Sequence, residues 1–126
     1  MTVSVVTISD RASRGEYPDR SGPEIASILR ESFPEARIDV EVVPDEAEAI
    51  TAAFERHGNA DFILTAGGTG ISGRDVTPET TRKYCERELP GIAEALRAES
   101  YRETPTAVLS RGAAGIKDGT IIVNFP

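Results

Sequence analysis

The stretch Leu64-Thr65-Ala66-Gly67-Gly68-Thr69-Gly70-Ile71-Ser72-Gly73-Arg74-Asp75-Val76-Thr77-Pro78-Glu79 decides how this chain is read. An apolar run, Phe62 to Leu64, leads into a glycine-dense turn. An Arg-Asp pair follows, and Thr77-Pro78-Glu79 has the form of a helix start with proline in the first turn. Strand, glycine loop and helix N-terminus, in that order, can surround a phosphate with backbone N–H groups. Asp75, just downstream, is placed to hold the cation that accompanies a nucleotide. The stretch predicts phosphate chemistry on an α/β frame.

Working outward, Val3–Ser9, Ile38–Val43 and Asp61–Ala66 read as strands from their β-branched, alternating apolar residues. Asp10–Tyr17 is polar and reads as a loop. Helices are expected from Ser21, after Pro44-Asp45-Glu46, over Pro78–Glu86 and over Gly91–Ser100. Thr106–Leu109 and Thr120–Val123 are expected to be further strands. This alternation predicts an α/β fold with a mostly parallel sheet and helices on both faces. With no repeat or linker, residues 1–126 read as one domain.

Composition narrows the function. No apolar run approaches the ~20 residues of a membrane span, and Thr2–Ile8 is a short first strand rather than a signal peptide, so a cytoplasmic location and no membrane partner are expected. Cys85 and His57 are each the only residue of their type, which leaves no disulfide framework, thiolate site or zinc pair. A net charge of −7 argues against a nucleic-acid partner. A small anion remains open if cations gather locally. Arg11, Arg14, Arg74 and Arg111 each lie within two residues of Gly or Ser in loop-like segments, though each reads equally as a solvated arginine.

Gly68, Gly70 and Gly73 form a G-x-G-x-x-G, but after the third strand, with helices where the dinucleotide fold needs its acid-tipped strand. No Gly-Lys-Ser/Thr follows, so the P-loop pattern fails too. Asp45 and Asp75 each come after a predicted strand and before a helix, at the sheet edge where ligands bind. Together they can bind Mg²⁺ on nucleotide phosphates; each is also readable as a helix N-terminal acid. Ser9-Asp10-Arg11 points to the same edge and is equally a turn former. Ser110-Arg111-Gly112-Ala113-Ala114-Gly115 offers small residues for a ligand to lie against. A serine nucleophile lacks a histidine base, and Cys85, read as helical, is assigned to packing.

Several segments together resemble the molybdopterin adenylyltransferase family, the bacterial Mog type within the MoaB/Mog group, related to the G domain of gephyrin. They are Thr7-Ile8-Ser9-Asp10-Arg11-Ala12-Ser13 with Gly15, Asp19-Arg20-Ser21-Gly22-Pro23, Val43-Pro44-Asp45, Thr65 to Gly70, Arg74 to Glu79, Pro90-Gly91 and Leu109-Ser110-Arg111. The resemblance implies a three-layer α/β/α fold, a homotrimer, and transfer of AMP from ATP to the molybdopterin phosphate with Mg²⁺, releasing pyrophosphate. It implies Asp45 and Asp75 as catalytic and Mg²⁺-binding residues. Substrate and phosphate binding fall to Ser9, Asp10, Arg11, Gly67, Gly68, Thr69, Gly70, Arg74, Ser110, Arg111 and Gly115, with Ser110–Gly115 on the pterin side. A contact with the molybdate-insertion protein is implied as well.

Two departures stand out. Gly73 replaces a proline common in the family, which predicts a more mobile loop before Asp75. Relatives also run on past Asn124-Phe125-Pro126 into a C-terminal helix that contributes to the pocket, so the 126 residues are expected to lack that segment. The competing expectation is a non-catalytic scaffold of the same fold that binds molybdopterin.

Overall fold

The first strand is the spine of the molecule, because both its faces are covered. The computed structural model describes residues 1–126. Its six strands are β1 (Thr2–Ile8), β2 (Arg37–Val43), β3 (Phe62–Ala66), β4 (Arg87–Glu88), β5 (Ala114–Lys117) and β6 (Thr120–Phe125). They form one sheet in the order β2-β1-β3-β6-β5-β4. β1, β2, β3 and β6 are mutually parallel, while β5 and β4 add antiparallel strands at one edge. The helices are α1 (Asp10–Ser13), α2 (Ser21–Ser32), α3 (Ala47–Arg56), α4 (Thr77–Tyr84) and α5 (Pro90–Glu103). The α/β expectation with a mostly parallel sheet holds.

Val3, Val5, Val6 and Ile8 of β1 are all buried, the continuous apolar run of a strand enclosed on both faces. Val6 and Ile8 join Ile63 of β3 and Ile122 of β6 against Ile50, Ala53 and Phe54 of α3. The Phe54 ring meets Tyr84 at 5.4 Å between centroids, tying α3 to the end of α4. Thr7 points to the opposite face. There its hydroxyl donates to Asp19 (3.1 Å), whose carboxylate also accepts the Gly22 N–H (3.2 Å) and so fixes the entry to α2.

Asn124 is buried at the C-terminal end of β6 with every polar atom used. Its amide nitrogen donates to Thr65 and Thr81 hydroxyls, both at 3.0 Å, and its oxygen accepts the Ala113 N–H at 3.1 Å. One side chain thus joins β3, β6, α4 and the segment entering β5.

Three expectations need correction. Thr106–Leu109 is not a strand but part of a 3₁₀ turn, Pro105–Leu109, with Val108 and Leu109 exposed. The place beside β6 belongs to β5, which turns back through Asp118-Gly119; both residues have positive φ, 48° and 84°. Asp-Gly between two apolar runs is a hairpin signal that the strand pattern of Thr106–Leu109 obscured. Asp10–Tyr17, expected as a loop, opens with the single turn α1. Finally, α4 ends at Tyr84, so Cys85 lies just past the helix in extended backbone rather than within it.

Candidate functional site

The parallel strands bring their C-terminal ends to one edge: Ile8 pairs with Val43, Thr7 with Ala66, and Ala66 with Phe125. β5 runs the other way, so the segment that enters it, Ser110–Ala113, starts at the same edge. The first loop, the Pro44-Asp45 turn, the glycine loop and the Ser110 segment therefore surround one place.

In the first loop, Ser9 donates its N–H to Val43 (2.9 Å) and caps α1 by accepting the Ala12 N–H on its hydroxyl (3.2 Å). Asp10 follows with both carboxylate oxygens engaged. One accepts the Asp45 N–H at 2.9 Å and the other is held by Arg74. The Asp45 amide first, and the Arg74 guanidinium next, hold the Asp10 carboxyl below its ordinary range. Arg11 faces outward, 5.0 Å over the Tyr17 ring and 3.9 Å from Glu16.

The glycine loop lies directly against β1. Gly67 has φ 104°, and a Cβ on it would overlap the Ile8 carbonyl oxygen. A Cβ on Gly68 would overlap Thr77 Oγ1 and come within 3.2 Å of Asp45 Oδ1. Those two oxygens are the buried side-chain polar atoms without a hydrogen-bond partner. Asp75 closes the loop: its Oδ2 accepts the Ser72 N–H at 3.0 Å and its own N–H donates to Ser72 at 2.9 Å. Burial, then the Asp75 and Asp10 carboxylates, raise the Asp45 carboxyl above its ordinary range.

Asp45, Asp75 and the Thr77 hydroxyl are hard oxygen donors, the kind that Mg²⁺ takes. No three acidic, His or Cys side chains gather closely enough to enclose a metal alone. Mg²⁺ ordinarily binds one or two carboxylates and completes its shell with water and substrate phosphates. The residues therefore fit an ion that arrives with a polyphosphate.

The crowding of Asp45 has a measurable consequence. A carboxyl whose folded pKa is raised binds more protons in the folded than in the unfolded state, so its ionisation penalises the fold as pH rises through that window. Asp45→Asn removes the charge while nearly preserving the shape of the side chain. The ligand-free variant is expected to be more stable than wild type at pH 7. In thermal melts across pH, that advantage should shrink as the wild-type Asp45 protonates.

Ser110 and Arg111 face the glycine loop. The Arg111 N–H donates to Thr69 (2.8 Å), its Nε to Gly70 (2.8 Å) and an Nη to the Asp75 carbonyl (2.8 Å), while the other Nη pairs with Glu79. Arg97 of α5 grips the Ser110 and Gly112 carbonyls, both at 3.1 Å. Gly115 is not brought to this edge. It lies inside β5, where Cys85 fills the space a Cβ would take.

Two clefts flank the glycine loop. One of about 480 Å³ is bounded by Thr69, Gly70, Ile71, Leu109 and Ser110. The other, about 230 Å³, is bounded by Ser9, Tyr17, Arg20, Ala66 and Gly67. A wider groove of about 730 Å³ runs between α3 and α4, past Val76 and Glu79, but does not include the glycine loop.

Residues 4–126 match the family described as a probable molybdopterin binding domain. The chain belongs to this family. Among its relatives is the molybdopterin adenylyltransferase of Helicobacter pylori strain J99, 40% identical over 128 residues, covering 98% of this chain and 73% of the relative. The MoaB molybdopterin biosynthesis enzyme of Thermus thermophilus superposes with a TM-score of 0.86 at 40% identity, over 98% of this chain and 79% of that one. A molybdopterin biosynthesis protein of Mycobacterium abscessus gives 0.89 at 38%, over 98% and 78%. No helix is long and apolar enough to cross a membrane.

In this member of the molybdopterin-binding family, Thr77, Arg97, Tyr17 and Arg20 also border the site, although the sequence assigns none of them a role there. Thr77 carried a faint signal as the first residue of a helix that begins Thr-Pro-Glu. Arg97, inside a helix of mixed polarity, carried none.

Proposed function

We propose that this chain is a molybdopterin adenylyltransferase. A terminal phosphate oxygen of molybdopterin attacks the α-phosphorus of ATP, the bond from that phosphorus to the β-phosphate bridging oxygen breaks, and pyrophosphate leaves with that electron pair. The observation that carries the reading is the buried, unpartnered Asp45 Oδ1 beside Thr77 and the glycine loop, with Asp75 closing the same loop. That combination suits a cation shared with phosphates, in a chain whose relatives over nearly its full length are named for this reaction.

Asp45 and Asp75 would hold Mg²⁺, which when bound neutralises phosphate charge and stabilises the departing pyrophosphate. The protein's part is positioning and charge. Backbone amides of Gly67, Gly68, Thr69 and Gly70 cradle a phosphate, and the Ser110 side of the larger cleft takes the pterin. Arg11 and Arg74 add positive charge at the rim, and Ser9 and Asp10 hold the first loop against Asp45. Cytoplasmic location, a homotrimer and delivery of the product to a molybdate-inserting protein belong to the same proposal. Exposed Ile28, Phe33 and Val40 supply apolar surface for assembly.

Pyrophosphate release from molybdopterin and MgATP is the deciding assay. Stoichiometric pyrophosphate and adenylylated molybdopterin are expected; tight pterin binding without pyrophosphate would establish the non-catalytic scaffold instead.

Cys85 has no part in this chemistry. Burial pushes its thiol up to about 11, so it stays protonated at neutral pH and is a poor nucleophile. Cys85→Ala is expected to leave turnover within twofold while costing about 1 kcal/mol in a urea titration, through lost packing of the sulfur.

A further inference from the structure

An arginine at a phosphate site is ordinarily taken for a substrate ligand, but three of the five side-chain N–H groups of Arg111 are already taken by the protein, at least one on each nitrogen. Nε and both Nη nitrogens each meet a protein oxygen: the Gly70 carbonyl, the Asp75 carbonyl and the Glu79 carboxylate. Its N–H takes a fourth, the Thr69 carbonyl. The four acceptors span the glycine loop, the residue that closes it, and the first turn of α4. Besides Arg111, the segment Gly70 through Arg74 is tied to the rest of the protein by the Arg74 pair with Asp10. Ile71 is exposed, and the local bonds are those among Ser72, Arg74 and Asp75. Arg111 is itself fixed from behind, because Arg97 grips the carbonyls of the residues on either side, Ser110 and Gly112.

We propose that Arg111 is a positioning residue, a latch that fastens the glycine loop to Asp75 and α4, and not a cation for the substrate phosphates. The planar guanidinium suits the task, since three donors in a rigid fork reach three acceptors at once. A lysine ammonium is a point charge on a flexible stem and cannot span the three positions. The Glu79 contact is charge-assisted on both sides and the two carbonyl contacts on one, the stronger class of protein hydrogen bond, so they hold the loop in place before substrate arrives. The latch carries α5 through Arg97 to the Ser110 segment, and from there to Asp75. The kinetic consequence rests on the adenylyl-transfer reading; the latch itself concerns the ligand-free chain.

Two measurements test it. Hydrogen exchange on the ligand-free protein reads the Ser72, Arg74 and Asp75 amides. Arg111→Lys is expected to speed their exchange by about tenfold or more, leaving β1 and β3 protected, and Glu79→Ala by a smaller factor. In turnover, Arg111→Lys should lower kcat by about ten- to a hundredfold through misplacement of Asp75, with KM for MgATP changed by less than about threefold. Unchanged exchange in both variants, or a rise in KM for MgATP at constant kcat, would overturn the latch and make Arg111 a substrate cation. Should Arg111→Lys fail to fold, Glu79→Ala still loosens the outer end of the latch and gives the same readout. A wild-type protein without turnover would sink the adenylyl-transfer reading alone, and the exchange result would still decide the latch.

Discussion

Asp75→Asn is expected to lower pyrophosphate release by a factor of about 10²–10³, or roughly 3–4 kcal/mol of transition-state stabilisation, with the fold retained. The substitution is close to isosteric. An asparagine oxygen still accepts the Ser72 N–H, and the Asp75 backbone bonds, its N–H to Ser72 and its carbonyl from Arg111, are untouched. What disappears is one full negative charge at the mouth of the glycine loop. If that charge holds a cation on the nucleotide phosphates, both charge neutralisation and leaving-group stabilisation fall together. Steady-state turnover with saturating MgATP, alongside a thermal melt, separates the effects. Activity within threefold of wild type would remove Asp75 from the catalytic role. A large fall in Tm would instead make it a loop residue.

The same carboxylate should tell on Asp45. Asp75 is the first of the charges that raise Asp45 after burial itself. Removing it relieves repulsion, so Asp75→Asn should leave the ligand-free protein at least as stable as wild type at pH 7. Loss of function with no loss of stability is the signature of a site held against its own electrostatic preference.

Much of this arrangement was legible in the chain because the fold uses local rules at the site. Apolar strand, glycine turn and Thr-Pro-Glu helix start placed β3, the loop and α4 correctly, and the parallel alternation put Asp10, Asp45 and Asp75 at one edge. The rest depends on contacts between residues far apart in sequence. Arg97 reads as a solvated helical arginine until the Ser110 and Gly112 carbonyls arrive beneath it. Arg111 reads as a loop arginine beside a phosphate cradle, and nothing local in the sequence announces that Glu79 and the Gly70 and Asp75 carbonyls meet its nitrogens. Gly115 reads as ligand-facing from the run of small residues after Ser110, yet the Cys85 side chain and the Arg87 carbonyl leave no room for a Cβ there. Thr106–Leu109 had a strand's composition, but which segment pairs with β6 was settled by the Asp118-Gly119 turn.

Gly67→Ala is expected to be the most destabilising single change in the loop, costing at least about 3 kcal/mol and lowering Tm by about 10 °C or more. Two costs combine. The φ of 104° lies beyond the left-handed well that other residues occasionally occupy. The added Cβ would also overlap the Ile8 carbonyl oxygen, which belongs to the central strand and cannot swing aside as a side chain can. Ile8 is packed in the core, and the next residue, Ser9, is bonded to Val43 at 2.9 Å, so relief must come from the loop. Moving the loop away from β1 would carry Gly68 with it, opening the space that Asp45 Oδ1 and Thr77 Oγ1 share. Activity of the folded fraction should therefore fall as well as stability. Gly73→Ala is the contrast: nothing lies within 4 Å of its Cβ position and its φ is not left-handed, so stability should change little or rise by about 0.4–1 kcal/mol as the unfolded chain loses freedom. Opposite signs from two Gly→Ala changes six residues apart would show that this loop is held where it touches β1 and free where it passes solvent. Equal effects would mean that the close approach to Ile8 does not set the position of the loop.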